Sequence, residues 1–168
     1  MESSSIKDNN IIMGVDPGLL NTGWGIISVK QNTINYIASG VITPNSKLSI
    51  EVRLKEIFLE LTKVIELYNP MECAMENIFV NSNNLSSLKL GYARGVAIST
   101  IGLAQKCFFE YAPNLVKKAV VGKGKADKVQ VQYMVNKILP KAKVQNEHAA
   151  DALAVCICHA NHKNLNSR

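Results

Sequence analysis

Ile11-Ile12-Met13-Gly14-Val15-Asp16-Pro17-Gly18 is the stretch on which the reading of this chain turns. An apolar run ends on a carboxylate and then turns. Such a run, closed by Pro-Gly, reads as a buried strand that delivers Asp16 at its C-terminal end. Burying an ionised carboxylate with no cation or hydrogen-bond donor costs several kcal/mol, roughly. Asp16 therefore predicts a cationic partner. The plain alternative is that Asp before Pro-Gly only forms a turn.

Working outward, two more strand-like runs follow, Trp24 to Val29 and Ile34 to Ile42. The connections are short and rich in turn residues, which favours an antiparallel meander. Ile50, Leu54, Ile57, Leu61, Val64 and Leu67 then repeat at helical spacing over Ser49 to Tyr68, and Asn69-Pro70 stops that helix. A short apolar strand, Met71 to Met75, ends on Glu76. A helix over Leu85 to Leu103 and a strand over Phe108 to Tyr111 come next, and Pro113 opens a turn. The basic loop Val121-Gly122-Lys123-Gly124-Lys125 precedes a helix capped by Asp127 and stopped by Pro140. A last helix runs from about Glu147 to His159. This order predicts an α/β or α+β domain with a five-stranded mixed sheet and helices on its faces.

The chain has 168 residues, 47% of them hydrophobic and 19% charged, which suits one globular domain over residues 10–160. Residues 1–9 and 161–168 read as flexible ends. The net charge of +6, from 19 Lys and Arg against 13 Asp and Glu, favours an anionic partner. The apolar stretch from Gly95 to Ala104 is too short to span a bilayer. Cys73, Cys107, Cys156 and Cys158 follow no signal-peptide pattern, so a reducing, cytoplasmic setting is expected. Cys156-x-Cys158-His159-x-x-His162 lacks the paired spacing of structural zinc sites, and on a helix its side chains spread over different faces.

Two strands thus end on acids, Asp16 and Glu76, and would converge if both lie in the sheet centre. The last helix adds Glu147, His148 and Asp151, with His148 and Asp151 sharing a face. Carboxylates with one imidazole suit Mg²⁺ or Mn²⁺, which can clamp the attacking and leaving oxygens in phosphodiester hydrolysis. Taken singly, each acid has a bland reading as a turn former, a solvated strand end or a surface helix residue. Lys117, Lys118, Lys123, Lys125 and Lys128 form a basic cluster that reads either as a phosphate-binding surface or as a solvated charge run. Gly122 and Gly124 would let the backbone approach a phosphate. The cluster lacks the spacing of a P-loop.

These residues resemble the RuvC-type Holliday-junction endonucleases, which have the RNase H-like fold. The matching stretches are Gly14-Val15-Asp16-Pro17-Gly18 with Thr22-Gly23-Trp24-Gly25, then Glu76-Asn77-Ile78-Phe79. They continue with Leu88-Lys89-Leu90-Gly91-Tyr92-Ala93-Arg94-Gly95-Val96-Ala97-Ile98, Val120-Val121-Gly122-x-Gly124, and His148-Ala149-Ala150-Asp151-Ala152-Leu153-Ala154. They occur in the family's order and cover roughly residues 10–160.

The resemblance implies a homodimeric, metal-dependent nuclease that resolves four-way DNA junctions by paired symmetric nicks in recombination and repair. It implies work beside a branch-migration complex. Its catalytic and metal-binding positions fall on Asp16, Glu76, His148 and Asp151, with one or two Mg²⁺ ions and Mn²⁺ as a substitute. The family carries Asp or His at position 148, so His148 is open as ligand, base or both, and Glu147 is the adjacent alternative. The working mechanism has Asp16 bridging two ions that Glu76 and Asp151 complete. DNA contacts fall on Lys117 and Lys128, with Lys123 and Lys125 nearby. Phe79 would stack on a base at the crossover rather than lid the core. Arg94 would anchor a phosphate or a carboxylate. The helix with Gly91, Ala93, Gly95 and Ala97 would be a dimer seam or a face packed on the sheet.

Two other classes compete. Sugar-kinase and actin-like ATPases also turn on Gly-x-Asp-x-Gly, but they are far longer and two-domained. A junction-binding protein without catalysis would not need to keep Asp16, Glu76 and Asp151. Junction DNA with Mg²⁺ or Mn²⁺, read for symmetric nicks, separates all three.

Overall fold

The apolar runs become a central sheet with two helical layers. The computed structural model describes residues 10–78 and 84–166. Phe79 and residues 1–9 lie outside that range. The strands are β1 (Asn10–Asp16), β2 (Thr22–Lys30), β3 (Thr33–Ile42), β4 (Glu72–Glu76) and β5 (Cys107–Tyr111). The helices are α1 (Ile50–Tyr68), α2 (Asn84–Leu103), α3 (Pro113–Val121), α4 (Lys128–Ile138) and α5 (Glu147–Asn166).

The sheet order is β3-β2-β1-β4-β5. β1, β2 and β3 pair antiparallel, as their short turns require. β4 pairs parallel with β1, and β5 parallel with β4. The α1 crossover makes that parallel pairing possible. It puts β1 at the centre of the sheet, with Met13 and Val15 fully buried. This is the RNase H-like arrangement that the resemblance implies.

Side-chain alternation divides the core in two. Met13, Val15, Cys73 and Met75 face α1 and α2, through Ile57, Leu61, Ala93 and Ala97. Ile12 and Ala74 face α3, α4 and α5. α5 is covered on nearly every side, with Ala152 through Cys158 all buried. It lies between the sheet and the α3–α4 pair.

Two expectations about elements change. Pro113 does not open a turn; it starts α3, where a missing N–H loses nothing. The polar residues after His159 are not a tail, because α5 continues to Asn166 and Lys163 Nζ reaches Glu72 Oε1 at 2.7 Å. Asp127 caps α4 as the sequence indicates, in a capping box with Gln130. Among the described residues no helix is long and apolar enough to cross a membrane.

Candidate active site

Register brings the first two acids together. Val15 is opposite Met75 on parallel strands, so Asp16 and Glu76 end neighbouring strands at the same sheet edge. The first turn of α5 supplies the rest. Asn146 caps this helix, its Oδ1 accepting from the His148 backbone N–H at 2.9 Å. That start aims the positive end of the helix dipole at the acids.

Strand glycines set the approach of α5. A Cβ on Gly23 would overlap the His148 carbonyl, and one on Gly14 the Ala152 carbonyl. A Cβ on Gly25 would sit 2.7 Å from the Leu153 side chain. Ala149 and Ala152, both buried, allow the same closeness from the α5 side. The strand glycines are equally required, and the signal for them was Gly-x-Gly inside an apolar strand.

His148 Nδ1 lies 2.9 Å from Asp16 Oδ2, with the two side chains 26% and 30% exposed. A cleft of about 190 Å³ is lined by Asp16, Glu76, Lys117, Lys128 and Asp151 over an apolar floor. Glu147 does not line this cleft; its Oε2 accepts from Lys128 Nζ at 2.8 Å and its Oε1 lies 4.0 Å from His148 Nε2.

The cleft holds more negative charge than its own cations balance. Burial, then Asp151 and Asp16, push the Glu76 carboxyl up to about 7 against the pull of Lys117 and Lys128. Burial and Asp16 push Asp151 up to about 6. Burial also raises Asp16, although the His148 hydrogen bond and charge oppose it. Carboxyls that compete for protons in this way suit a shared cation. Their oxygens, with one imidazole nitrogen, form a donor set for a hard divalent ion. Among the described residues no three such side chains are already gathered into a ligand cage. The fit therefore rests on donor chemistry and charge.

The remaining candidates fall in different places. Lys117 and Lys128 line the cleft. Lys123 and Lys125 are exposed in the connection between α3 and α4. Gly122 has φ +81° and closes α3 through its N–H to the Lys118 carbonyl, so helix termination accounts for it without a phosphate. Arg94 does not sit among the exposed cations. It is 8% exposed, its Nη1 donates to the Glu76 carbonyl at 2.7 Å, and it pairs with Glu110. A guanidinium committed to these two groups holds the end of β4, which is the carboxylate alternative for Arg94 rather than the phosphate of a DNA contact. Of the CxC-HxxH residues, Cys156 Sγ meets the Gly25 carbonyl and His159 meets Tyr111 and Glu72, while Cys158 Sγ and His162 Nδ1 lie 3.7 Å apart.

α2 divides its small residues between two faces. Ala93 and Ala97 are buried on the sheet. Gly91 and Gly95 have nothing near the position a Cβ would take. They border an open groove of about 600 Å³ between α1 and α2 that includes Phe58, Tyr92 and Val96.

Comparison with known proteins places this geometry. A family model described as crossover junction endodeoxyribonuclease RuvC matches residues 12–159. A protein of that name from a Wolbachia strain of Drosophila simulans is 49% identical over 150 residues, covering 89% of this chain and 93% of its own. One from Brucella suis is 44% identical over 158 residues, covering 94% and 91%. The structure of T. thermophilus RuvC in complex with Holliday junction substrate aligns with a TM-score of 0.86 at 28% identity, covering 94% of this chain and 97% of that one.

Proposed function

The chain belongs to the RuvC family of crossover junction endodeoxyribonucleases, and on that premise we propose that it resolves four-way DNA junctions by paired symmetric nicks in recombination and repair. The observation that carries this reading is the shared edge. Asp16 and Glu76 end adjacent parallel strands there, and α5 brings His148 and Asp151 to the same place.

We assign Asp16, Glu76, Asp151 and His148 to the catalytic metal site, with Mg²⁺ as the natural ion, Mn²⁺ as its substitute, and one or two ions per site. Bound there, a divalent cation supplies charge neutralisation at the phosphodiester and a more acidic water. Asp16 is the most rigidly held ligand, because the central strand fixes its backbone and His148 its carboxylate. Glu76 and Asp151 complete the cation-binding set from either side. When His148 donates its Nδ1–H to Asp16, Nε2 keeps a lone pair, so it can take the proton of the attacking water or ligate the ion. Arg94 positions Glu76 through its carbonyl. Lys117 and Lys128 face the cleft and hold the phosphates flanking the cut, and Lys123 and Lys125 extend that positive surface.

The exposed Gly91 and Gly95 beside an apolar groove support a homodimer through α1 and α2. Two sites related by a two-fold axis match a junction with two symmetric strands to cut. We place the enzyme in the cytoplasm, alongside a branch-migration complex, as one domain over residues 10–160 together with the rest of α5. The test is cleavage of an immobile and a mobile four-way junction in Mg²⁺ and in Mn²⁺. Paired nicks that disappear in EDTA support the reading. Binding without nicking in either metal overturns it.

A further inference from the structure

His148 stands between two cavities. Its ring meets Asp16 in the carboxylate cleft. It also walls a separate groove of about 370 Å³. Leu19 and Leu20, from the turn just after Asp16, and Leu90 of α2 give this groove an apolar lining, and Arg53 and Lys89 give it positive charge. Among the described residues no acidic side chain lines it, in contrast to the cleft on the other side of His148. Among the described residues, no carboxylate forms an ion pair with Arg53 or Lys89. Arg53 Nη2 is fixed on the Leu19 carbonyl at 2.8 Å, and its Nε is buried without an acceptor. Leu20 is 63% exposed, which leaves a large apolar side chain facing solvent beside these charges.

Apolar surface next to unmatched positive charge is complementary to a nucleotide, which carries an apolar base face and an anionic phosphate. Position limits the choice further. A strand whose phosphate lies at Asp16 has this groove beside it, because His148 touches Asp16 and walls the groove. We propose that this groove seats the nucleotide adjoining the cleaved phosphate, its base against Leu19, Leu20 and Leu90 and its outer phosphate near Lys89 and Arg53. This rests on the junction-cutting reading and adds a subsite to it. Lys117 and Lys128 would hold the strand on one side of the reacting phosphate, and Arg53 and Lys89 on the other.

The test is a cycle on a four-way junction. An abasic position is placed in turn at each of the two nucleotides adjoining the cut, and single-turnover nicking is compared for the wild-type protein and Leu20→Ser. One abasic position should slow the wild-type protein about tenfold, on the scale of one lost base contact. Leu20→Ser should slow cutting of the intact junction by a similar factor and lose nothing more on the abasic one. A second measurement uses binding alone, in EDTA. Lys89→Gln should flatten the log–log salt dependence of junction affinity by roughly 0.7 to 0.9, as expected for one phosphate contact. Additive losses in the cycle, no effect of either abasic position, or an unchanged salt slope would each overturn the proposal. If the wild-type protein nicks no intact junction, the junction-cutting reading fails and the subsite falls with it. If it nicks normally and only the cycle fails, the groove assignment alone is wrong.

Discussion

Asp16→Asn should stabilise the metal-free protein while abolishing cleavage. Asp16 and Glu76 end neighbouring strands, a spacing of about 5 Å. With the side chains roughly 6 Å apart and an effective dielectric of about 20, two full charges repel by about 3 kcal/mol. The Asp16 side chain is 30% exposed, so solvent screening brings this to about 1–2 kcal/mol. The substitution also weakens the hydrogen bond to His148, costing about 0.5–1 kcal/mol, since the amide oxygen still accepts. The balance is a gain of about 1 kcal/mol, or about 2–4 °C in Tm for a chain of this size. Thermal unfolding followed by circular dichroism at pH 8 in EDTA measures it. Added Mg²⁺ should raise the Tm of the wild-type protein and leave the variant unmoved. A variant that melts below wild type in EDTA, or gains as much from Mg²⁺, would refute the charge-crowding argument.

Other outcomes follow from the same geometry. Glu76, raised from 4.5 to about 7, and Asp151, raised from 3.8 to about 6, are more easily protonated in the fold than in the open chain. Their stabilising effect is complete below pH 4 and is lost as pH rises through about 6 and then about 7. Metal-free Tm should therefore fall across that window, and Mg²⁺ should restore it. For the same reason cation binding at pH 6.5 should release protons, detectable by calorimetry in buffers of different ionisation enthalpy. Gly23→Ala should cost about 1–3 kcal/mol in urea unfolding, because its methyl meets the His148 carbonyl. Arg94→Met should lower kcat at least about tenfold with junction affinity retained, since misplacing a ligand by about 1 Å can cost more than that. An unchanged kcat would remove Arg94 as the support of Glu76.

The strands and most helices were legible because local rules set them, and the same rules marked Asp16, Glu76, His148 and Asp151 as candidates, while their assignment to one site came from the resemblance. Apolar runs ended on acids, Asp127 announced a cap, and His148 and Asp151 lay a helical turn apart. What stayed hidden depended on partners distant in sequence. Arg94 is exposed or buried according to whether Glu110 and the Glu76 carbonyl are within reach, and only the β4–β5 pairing puts them there. The end of α5 looked like a solvated tail, yet Glu72 collects Asn10, His159 and Lys163. Burial would raise the Glu72 carboxyl, but hydrogen bonds from Lys163, Asn10 and His159 overcome it and hold it down at about 2. Glu72 therefore keeps its charge at neutral pH and ties the C-terminal helix to the sheet. Gly122 reads in the sequence as making room for a phosphate, and its αL cap of α3 is a second reason for a glycine there that the sequence does not separate from the first.

The central claim is that Asp16, Glu76, His148 and Asp151 form one metal site that cuts junction DNA. Its most direct test is single-turnover nicking of a four-way junction by Asp151→Asn in Mg²⁺, with junction affinity measured in parallel in EDTA. Affinity equal to or above wild type, with nicking reduced at least about a thousandfold, is the predicted result. Nicking within tenfold of wild type would contradict the account.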